Sequence, residues 1–454
     1  VKSVQKPENP VLAWIRDADQ YCFGFGSATT LGIFRILFGF WVMMNYLILL
    51  PFWEVWFSER GYMPGWLARL WFRHRSEVPS GLIHFFPDGI PRLDLLNGVT
   101  DPRIGYAFFL AVIVLAGLTC IGLATRFSAF FLFLGVITLH HRDGAILHGG
   151  DTLMRVMVVY MAVSPCGRAC SVDRLIGLWK GTVSHEPPQV SLWSQRLIAF
   201  NVSLIYFTSV WFKWDGDKWR TLIATYYPER LAEFFRFPLP EFFRSVWMAR
   251  VTTFGTLMTE FLMGTLVFFP PARKYVLLAG VMMHSYIEYS MNIPLFSFMM
   301  ISSYITFFQG EEITAWALRV GSRLRRFHVE VRLPLGQKLS PRGVAFFSAL
   351  DPFGFVSFLP GDGAETTAMR FDKTEANLNR ILCARLMGGW GFLWIPGLPA
   401  KLLAKNLEQS PAIGTNAEED WGANGTRGLK TRERQEAGSA VTRSRKASRG
   451  SLNA

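Results

Sequence analysis

The chain has 454 residues, half of them hydrophobic, and carries 40 Phe and 16 Trp. That aromatic load, with several apolar runs near the roughly 20 residues that cross a bilayer as a helix, argues against a soluble globular chain. The net charge of +13 does not imply nucleic acid, because much of the basic excess lies on loops and in the C-terminal tail, where it acts on topology or meets anionic lipid.

The expected fold class is an all-α multi-pass membrane protein of about eight helices, with a small C-terminal α/β domain and a disordered tail. Residues 1–27 form an N-terminal segment whose polar composition, with Lys2, Lys6 and Arg16, shows no cleavable signal peptide. The first span is expected at about 29–50 and ends at Pro51. It contains Arg35, whose charge is costly at membrane depth and must face protein. Residues 51–102 make a long connection with interfacial helices such as "GWLARLWFRHR". Spans follow at about 104–124 and from Phe127 to His141, and the next starts near Asp151 and ends at Pro165. "SVDRLIGLWKGT" at 171–182 reads as an amphipathic surface helix starting at a Ser N-cap.

Further spans are expected at about 191–212 and 251–270. Residues 275–308 are too long for one ordinary span and should break into two helices near Asn292 and Pro294. Residues 309–326 read as a basic linker. In 327–410, "FHVEVRLPLG" and "FGFVSFLP" read as strands flanking a helical "SPRGVAFFSALD", and 411–454 read as disordered. The arginines in the short turns and after the last span place both termini in the cytoplasm, with the chain in the cell's inner membrane.

The chemistry-bearing residues centre on "LIYFTSVWFKWDGDKWR", residues 204–220. Lys213 ends an apolar run among Trp211, Trp214 and Trp219. Burial disfavours a protonated amine and makes a base, whereas a nearby carboxylate such as Asp215 or Asp217 favours the ammonium. A lysine at a helix end also snorkels to the headgroups beside an aromatic belt, so both readings stand. His140, His141 and His148 surround a Gly149-Gly150-Asp151 turn and suit acid–base work, while their spacing matches no standard metal motif. Asp151 reads as a helix N-cap that pairs with Arg155, and the turn offers backbone N–H groups to an anion. Arg35, Glu260, Glu288 and His284 complete the intramembrane polar set, with Arg35 expected to pair with Glu260 or Glu288. Cys22, Cys120, Cys166, Cys170 and Cys383 imply no disulfide framework.

The order Tyr206, Phe207, Lys213, Asp215, Asp217, with Trp219 close behind, resembles the HTTM (horizontally transferred transmembrane) family, including the vitamin K-dependent gamma-carboxylase. "ILHGGDTLMR" at 146–155 and "MNIPLFSFMMIS" at 291–302 are similar to further elements of that family, and the likeness covers residues 28–308. The resemblance implies a carboxylase-like, lyase-type or oxidoreductase-like membrane enzyme that draws a vitamin K-like quinol from the bilayer. Lys213 would be its base, His141 and His148 its acid–base partners, and Tyr206 and Asn292 ligand-facing positions. Phe212 stands at the place of the first lysine of the family's lysine pair, and nothing matches the carboxylase's substrate-binding region. The alternative function is a non-catalytic membrane scaffold or a transporter that keeps the fold. The C-terminal part resembles a small thioredoxin-like domain with an Asp-Cys-Cys signature but lacks the cysteines, so it is expected to be redox-dead.

Overall fold

The computed structural model describes residues 10–64, 66–67, 93–96, 99–324, 328–361, 363, 367–370, 403, 405 and 407–409. Most of "GWLARLWFRHR", the predicted tail at 411–454, nearly all of 371–406 and Cys383 lie outside the described residues. In chain order the helices are α1 Pro10–Phe23, α2 Thr29–Leu49, α3 Trp53–Phe57, α4 Pro102–Ile121, α5 Thr125–Arg142, α6 Gly149–Val163 and α7 Val172–Lys180. They continue with α8 Trp193–Trp214, α9 Asp217–Arg220, α10 Val246–Thr265, α11 Pro270–Ser290, α12 Phe296–Ser303, α13 Gly310–Arg323 and α14 Pro341–Leu350.

Local chemistry sets several of these boundaries. Asp101 caps α4 by accepting the Arg103 N–H at 2.9 Å, with Pro102 in the first turn. Gly122 ends α4 at φ +73°, a left-handed conformation that favours glycine. Ser245 caps α10 by accepting the Met248 N–H at 3.1 Å. α11 and α12 are separated by 291–295, where Leu295 has φ +57°, so the expected break near Asn292 and Pro294 is present.

Helices α2, α4, α5, α6, α8, α10, α11 and α12 run alternately between two ends of one bundle. One end carries the short antiparallel pair β1 Phe25–Ser27 with β2 Gln189–Ser191, the start of α8, and α13. Contacts there include the Ser27 N–H donating to Glu311 and Gln195 donating to the Phe308 carbonyl. The other end carries α3, the 143–148 turn, residues 215–245 and the 291–295 break. The core is continuous, with Phe34, Phe38 and Val42 of α2 against Phe109, Leu132, Met157, Val202 and Met299. Large apolar side chains such as Phe127, Phe200, Phe254 and Leu278 point outward, as lipid-facing surfaces do. Among the described residues, three stretches are long and apolar enough to cross a membrane: Thr29–Phe57, Pro102–Ile121 and Trp193–Trp214.

Three elements differ from expectation. The N-terminal segment holds the helix α1, and Arg196 stacks 4.2 Å from its Tyr21 ring. The linker expected at 309–326 is largely the helix α13, closed by a reciprocal Gln309–Glu312 capping box. Helix α7 starts at Ser171 as predicted, but its apolar face does not lie free for the membrane. Leu175 and Leu178 are buried in a second apolar cluster with Val331, Leu333, Phe346 and Leu350. That cluster belongs to a three-stranded sheet of β3 Val329–Leu333, β5 Val356–Pro360 and β6 Thr367–Arg370, ordered β5-β3-β6. β3 and β5 are parallel and joined across α14, the strand–helix–strand pattern read from the sequence. β4 Gln337–Leu339 pairs antiparallel with β7 Leu407–Gln409.

Candidate functional site

Helix α8 does not end before its lysine. It runs on to Trp214, so Lys213 sits in the last helical turn. The Lys213 ammonium turns inward and pairs with Glu260 of α10, whose side chain is 8 % exposed. The Lys213 side chain itself is 24 % exposed, and its Nζ lies 4.8 Å from the centroid of the Trp219 ring. The neighbouring carboxylates take other roles: Asp217 pairs with Arg220, and Asp215 is exposed at the end of α8. Helices α8 and α10 approach closely because Gly264 has no side chain. A Cβ there would lie 3.0 Å from the Phe207 Cα.

Helix α8 also takes part in a buried hydrogen-bond chain, through Tyr206. The Tyr206 hydroxyl lies 2.6 Å from His284 Nε2 and 2.6 Å from the Tyr304 hydroxyl. All three residues are buried, and His284 Nδ1 has no hydrogen-bond partner among the described residues. The ring of Phe296 stands edge-on to His284 with centroids 5.4 Å apart. The charges of Lys213 and Glu260 lie close enough to act on His284 and on both tyrosines. These groups come from α8, α10, α11 and the turn after α12.

The Gly-Gly-Asp turn forms a separate polar cluster. His148, not Asp151, is the N-cap of α6: its Nδ1 accepts the Gly150 N–H at 2.9 Å, and Asp151 accepts the His148 N–H at 2.9 Å. The expected cap is thus shifted by three residues, because the imidazole completes a reciprocal capping box with Asp151 in the third helical position. The Asp151 carboxylate faces His140 Nε2 at 3.7 Å and His148 Nε2 at 3.5 Å, and no Asp151–Arg155 ion pair occurs among the described residues. His141 instead contacts the backbone of Leu93 through Nδ1. Phe296 separates the two clusters, since a Cβ on Gly149 would lie 3.5 Å from its ring, opposite His284. Among the described residues the contacts of His148 are with Gly150 and Asp151, and those of Lys213 are with Glu260 and Trp219. Among the described residues no group of three or more His, Cys, Asp or Glu is placed to hold a metal.

The expected pairing of Arg35 with Glu260 or Glu288 is not what the fold makes. Arg35 donates to four backbone carbonyls: Cys166 at 3.1 Å, Thr119 at 2.5 Å, Cys120 at 2.6 Å, and Cys170. Two of these close the C-terminus of α4, where the helix dipole favours a cation, so the guanidinium is satisfied without a carboxylate. Glu288 pairs with Arg236 on the connection after α9. That connection forms a strap over the ends of α10 and α11. Thr225 donates to the Ala249 carbonyl at 3.0 Å, and the Tyr286 hydroxyl donates to Glu229 at 2.5 Å. The Asn292 N–H donates to the Phe234 carbonyl at 2.7 Å, and Phe235 bridges to Met291. Asn292 is exposed, and its backbone is tied to this strap. Burial pushes the Glu229 carboxyl above the usual carboxylate range, against the pull of the Tyr286 bond and Arg230.

The strap's contacts fall on the helix faces that carry the polar groups. Glu288 is one turn beyond His284 on α11, and Thr253 is two turns from Glu260 on α10. Sequence reading missed Tyr304, Phe296 and Arg236 as parts of this region. A tyrosine in an apolar run was the one available signal for Tyr304, and for the other two the packing partner was not visible.

No curated protein and no solved structure matches the chain. Residues 91–311 match the family model of the HTTM domain, a stretch that holds α4 to α12 and with them Lys213, Tyr206, Glu260, His284 and Tyr304. This chain carries an HTTM domain over that stretch.

Proposed function

We propose that this chain is an intramembrane acid–base enzyme in which Lys213 takes a proton from a lipid-soluble hydroxyl compound of the quinol class. The observation that supports this is the Lys213–Glu260 pair, in which the amine meets a carboxylate whose side chain is 8 % exposed. The likeness of the Tyr206–Asp217 motif to the gamma-carboxylase supports the ligand class. We read the long alternating helices as membrane crossings and α12 as a shorter helix within the bundle, with the end that bears Arg126, Arg273, Lys274 and α13 facing the cytoplasm.

The residues present fit such a ligand. His284 Nδ1 is a buried polar atom without a partner beside the Phe296 ring, so a hydroxylated ring would meet a hydrogen-bonding group and an aromatic wall together. A bound quinol would supply an ionisable hydroxyl and two reducing equivalents. The protein's part is proton handling. Transfer of one proton from Lys213 Nζ to Glu260 Oε1 converts an ion pair into a neutral amine and a neutral acid, with no change in net charge. The amine then accepts the hydroxyl proton, so the net movement is from ligand to Glu260 through Lys213. Tyr206, His284 and Phe296 orient the ring, and the surrounding helices exclude water.

The test is oxidation of decylubiquinol by oxygen with purified protein in nanodiscs, followed by ultraviolet absorbance. Lys213→Ala should lower the rate by roughly 10²-fold or more while the protein elutes as the wild type does. Equal rates in the two proteins would remove Lys213 from the chemistry. One observation favours a non-catalytic scaffold instead: Phe212, at the place of the first lysine of the family's pair, is 75 % exposed on α8.

A further inference from the structure

The Tyr304–Tyr206–His284 chain has a property that the proton-transfer scheme does not use. Each hydroxyl carries one proton, and an uncharged imidazole carries one N–H on one of its two nitrogens. Two arrangements satisfy the chain. In the first, Tyr304 donates to Tyr206 and Tyr206 donates to His284 Nε2, which leaves an N–H on Nδ1. In the second, His284 Nε2–H donates to Tyr206 and Tyr206 donates to Tyr304, which leaves Nδ1 as an acceptor. Both use the same heavy-atom positions, 2.6 Å and 2.6 Å. Rotating two hydroxyls, with one proton given up by Nδ1 to water and one taken from water at Nε2 before a ligand is bound, turns Nδ1 from donor to acceptor with no change in net charge at a residue that is 1 % exposed.

We infer that His284 Nδ1 is the hydrogen-bonding position for a ligand oxygen that alternates between hydroxyl and carbonyl, and that Tyr206 and Tyr304 are positioning residues that let it serve both forms. A hydroxyl needs an acceptor there and a carbonyl needs a donor. A fixed donor such as lysine, or a fixed acceptor such as a carboxylate, would favour one form, because a mismatched buried polar pair is costly. This chain is matched to a hydroxyl/carbonyl couple, the two oxidation states of one molecule. The inference rests on the proposed ligand class and is separable from the role of Lys213.

The experiment uses full-length protein in nanodiscs with 15N-labelled histidine, and decylubiquinol and decylubiquinone as probes. The His284 signal is assigned through His284→Gln. The wild type should bind both probes with affinities within about tenfold of each other, and its His284 tautomer should differ between them. Tyr304→Phe leaves Tyr206 free to donate only to Nε2, so it should hold the Nδ1–H tautomer with both probes. Its preference should then shift toward the carbonyl form by roughly tenfold or more. Lys213→Ala should keep the tautomer response. One tautomer with both probes, and an affinity ratio unmoved by Tyr304→Phe, would overturn the inference. Absence of binding by either probe would overturn it together with the ligand class. Undiminished turnover in Lys213→Ala with an intact tautomer response would remove only the base.

Discussion

If the Lys213–Glu260 pair is held in the bundle, breaking it should cost more than deleting it. Lys213→Met leaves the Glu260 carboxylate, 8 % exposed, without its cation. Glu260→Gln leaves an amine that is 24 % exposed and still has the Trp219 ring beside it, so it should be the milder change. Two unit charges about 3 Å apart at an effective dielectric of about 20 attract by roughly 5 kcal/mol. Partial exposure of Lys213 and the retained cation–π contact reduce the expected coupling to about 2–4 kcal/mol. The double variant, Lys213→Met with Glu260→Gln, carries neither charge and should recover most of the loss caused by Lys213→Met. The assay is a double-mutant cycle on thermal unfolding in one detergent, read by intrinsic tryptophan fluorescence. If the two single losses simply add in the double variant, the pair is not coupled, and the inward position of the amine has no energetic meaning.

Arg35→Met leaves the Cys120, Cys166 and Cys170 carbonyls without the guanidinium, and should cost roughly 2–4 kcal/mol after relief of the buried charge. An unfolding midpoint within 1 °C of wild type would show that the clamp is dispensable. Gly122→Ala strains a φ of +73° and drives a Cβ to 2.7 Å from the Arg35 guanidinium, so it should destabilise the same corner by more than about 1 kcal/mol, measured by the same unfolding. Leu178→Asp places a charge among Val331, Phe346 and Leu350. It should release the C-terminal sheet from α7, read as faster proteolysis after residue 324, and unchanged proteolysis would mean the shared core is not needed. Burial pushes the Asp351 carboxyl above the usual range, against the N–H groups of Val356, Phe355 and Gly354 and the charge of His328. The folded state therefore keeps this proton to higher pH than the unfolded chain does. The stabilisation is full below the ordinary carboxylate value and is lost as pH rises through the raised one. Asp351→Asn should flatten that loss in proteolysis measured from pH 4 to pH 7.

Much of the bundle was legible because apolar run length and turn residues act locally. The spans around 29–50, 104–124 and 191–212, the break near Asn292 and the strand–helix–strand order after 327 all depend on neighbours along the chain. The same holds for the order Tyr206, Phe207, Lys213, Asp215, Asp217, which pointed to the HTTM family without reference to any contact. Partner choice was not legible. Arg35 took four carbonyls in place of a carboxylate, because the C-terminus of α4 and the Cys166–Cys170 turn meet it in space. His148 replaced Asp151 as the cap, because an imidazole happened to reach the Gly150 N–H.

Helix α7 shows the same division. Its amphipathic pattern fixed that one face would be covered, and only the docked sheet decided what covers it. Sequence by itself determined which segments are helical and apolar enough to enter a bilayer, since those properties are sums over adjacent residues. Tertiary structure alone decided that Lys213 turns to Glu260 and that Tyr206 joins His284 to Tyr304. These pairs lie 47, 78 and 98 residues apart, and a buried charge or hydroxyl is committed to whichever partner the packing of the helices presents.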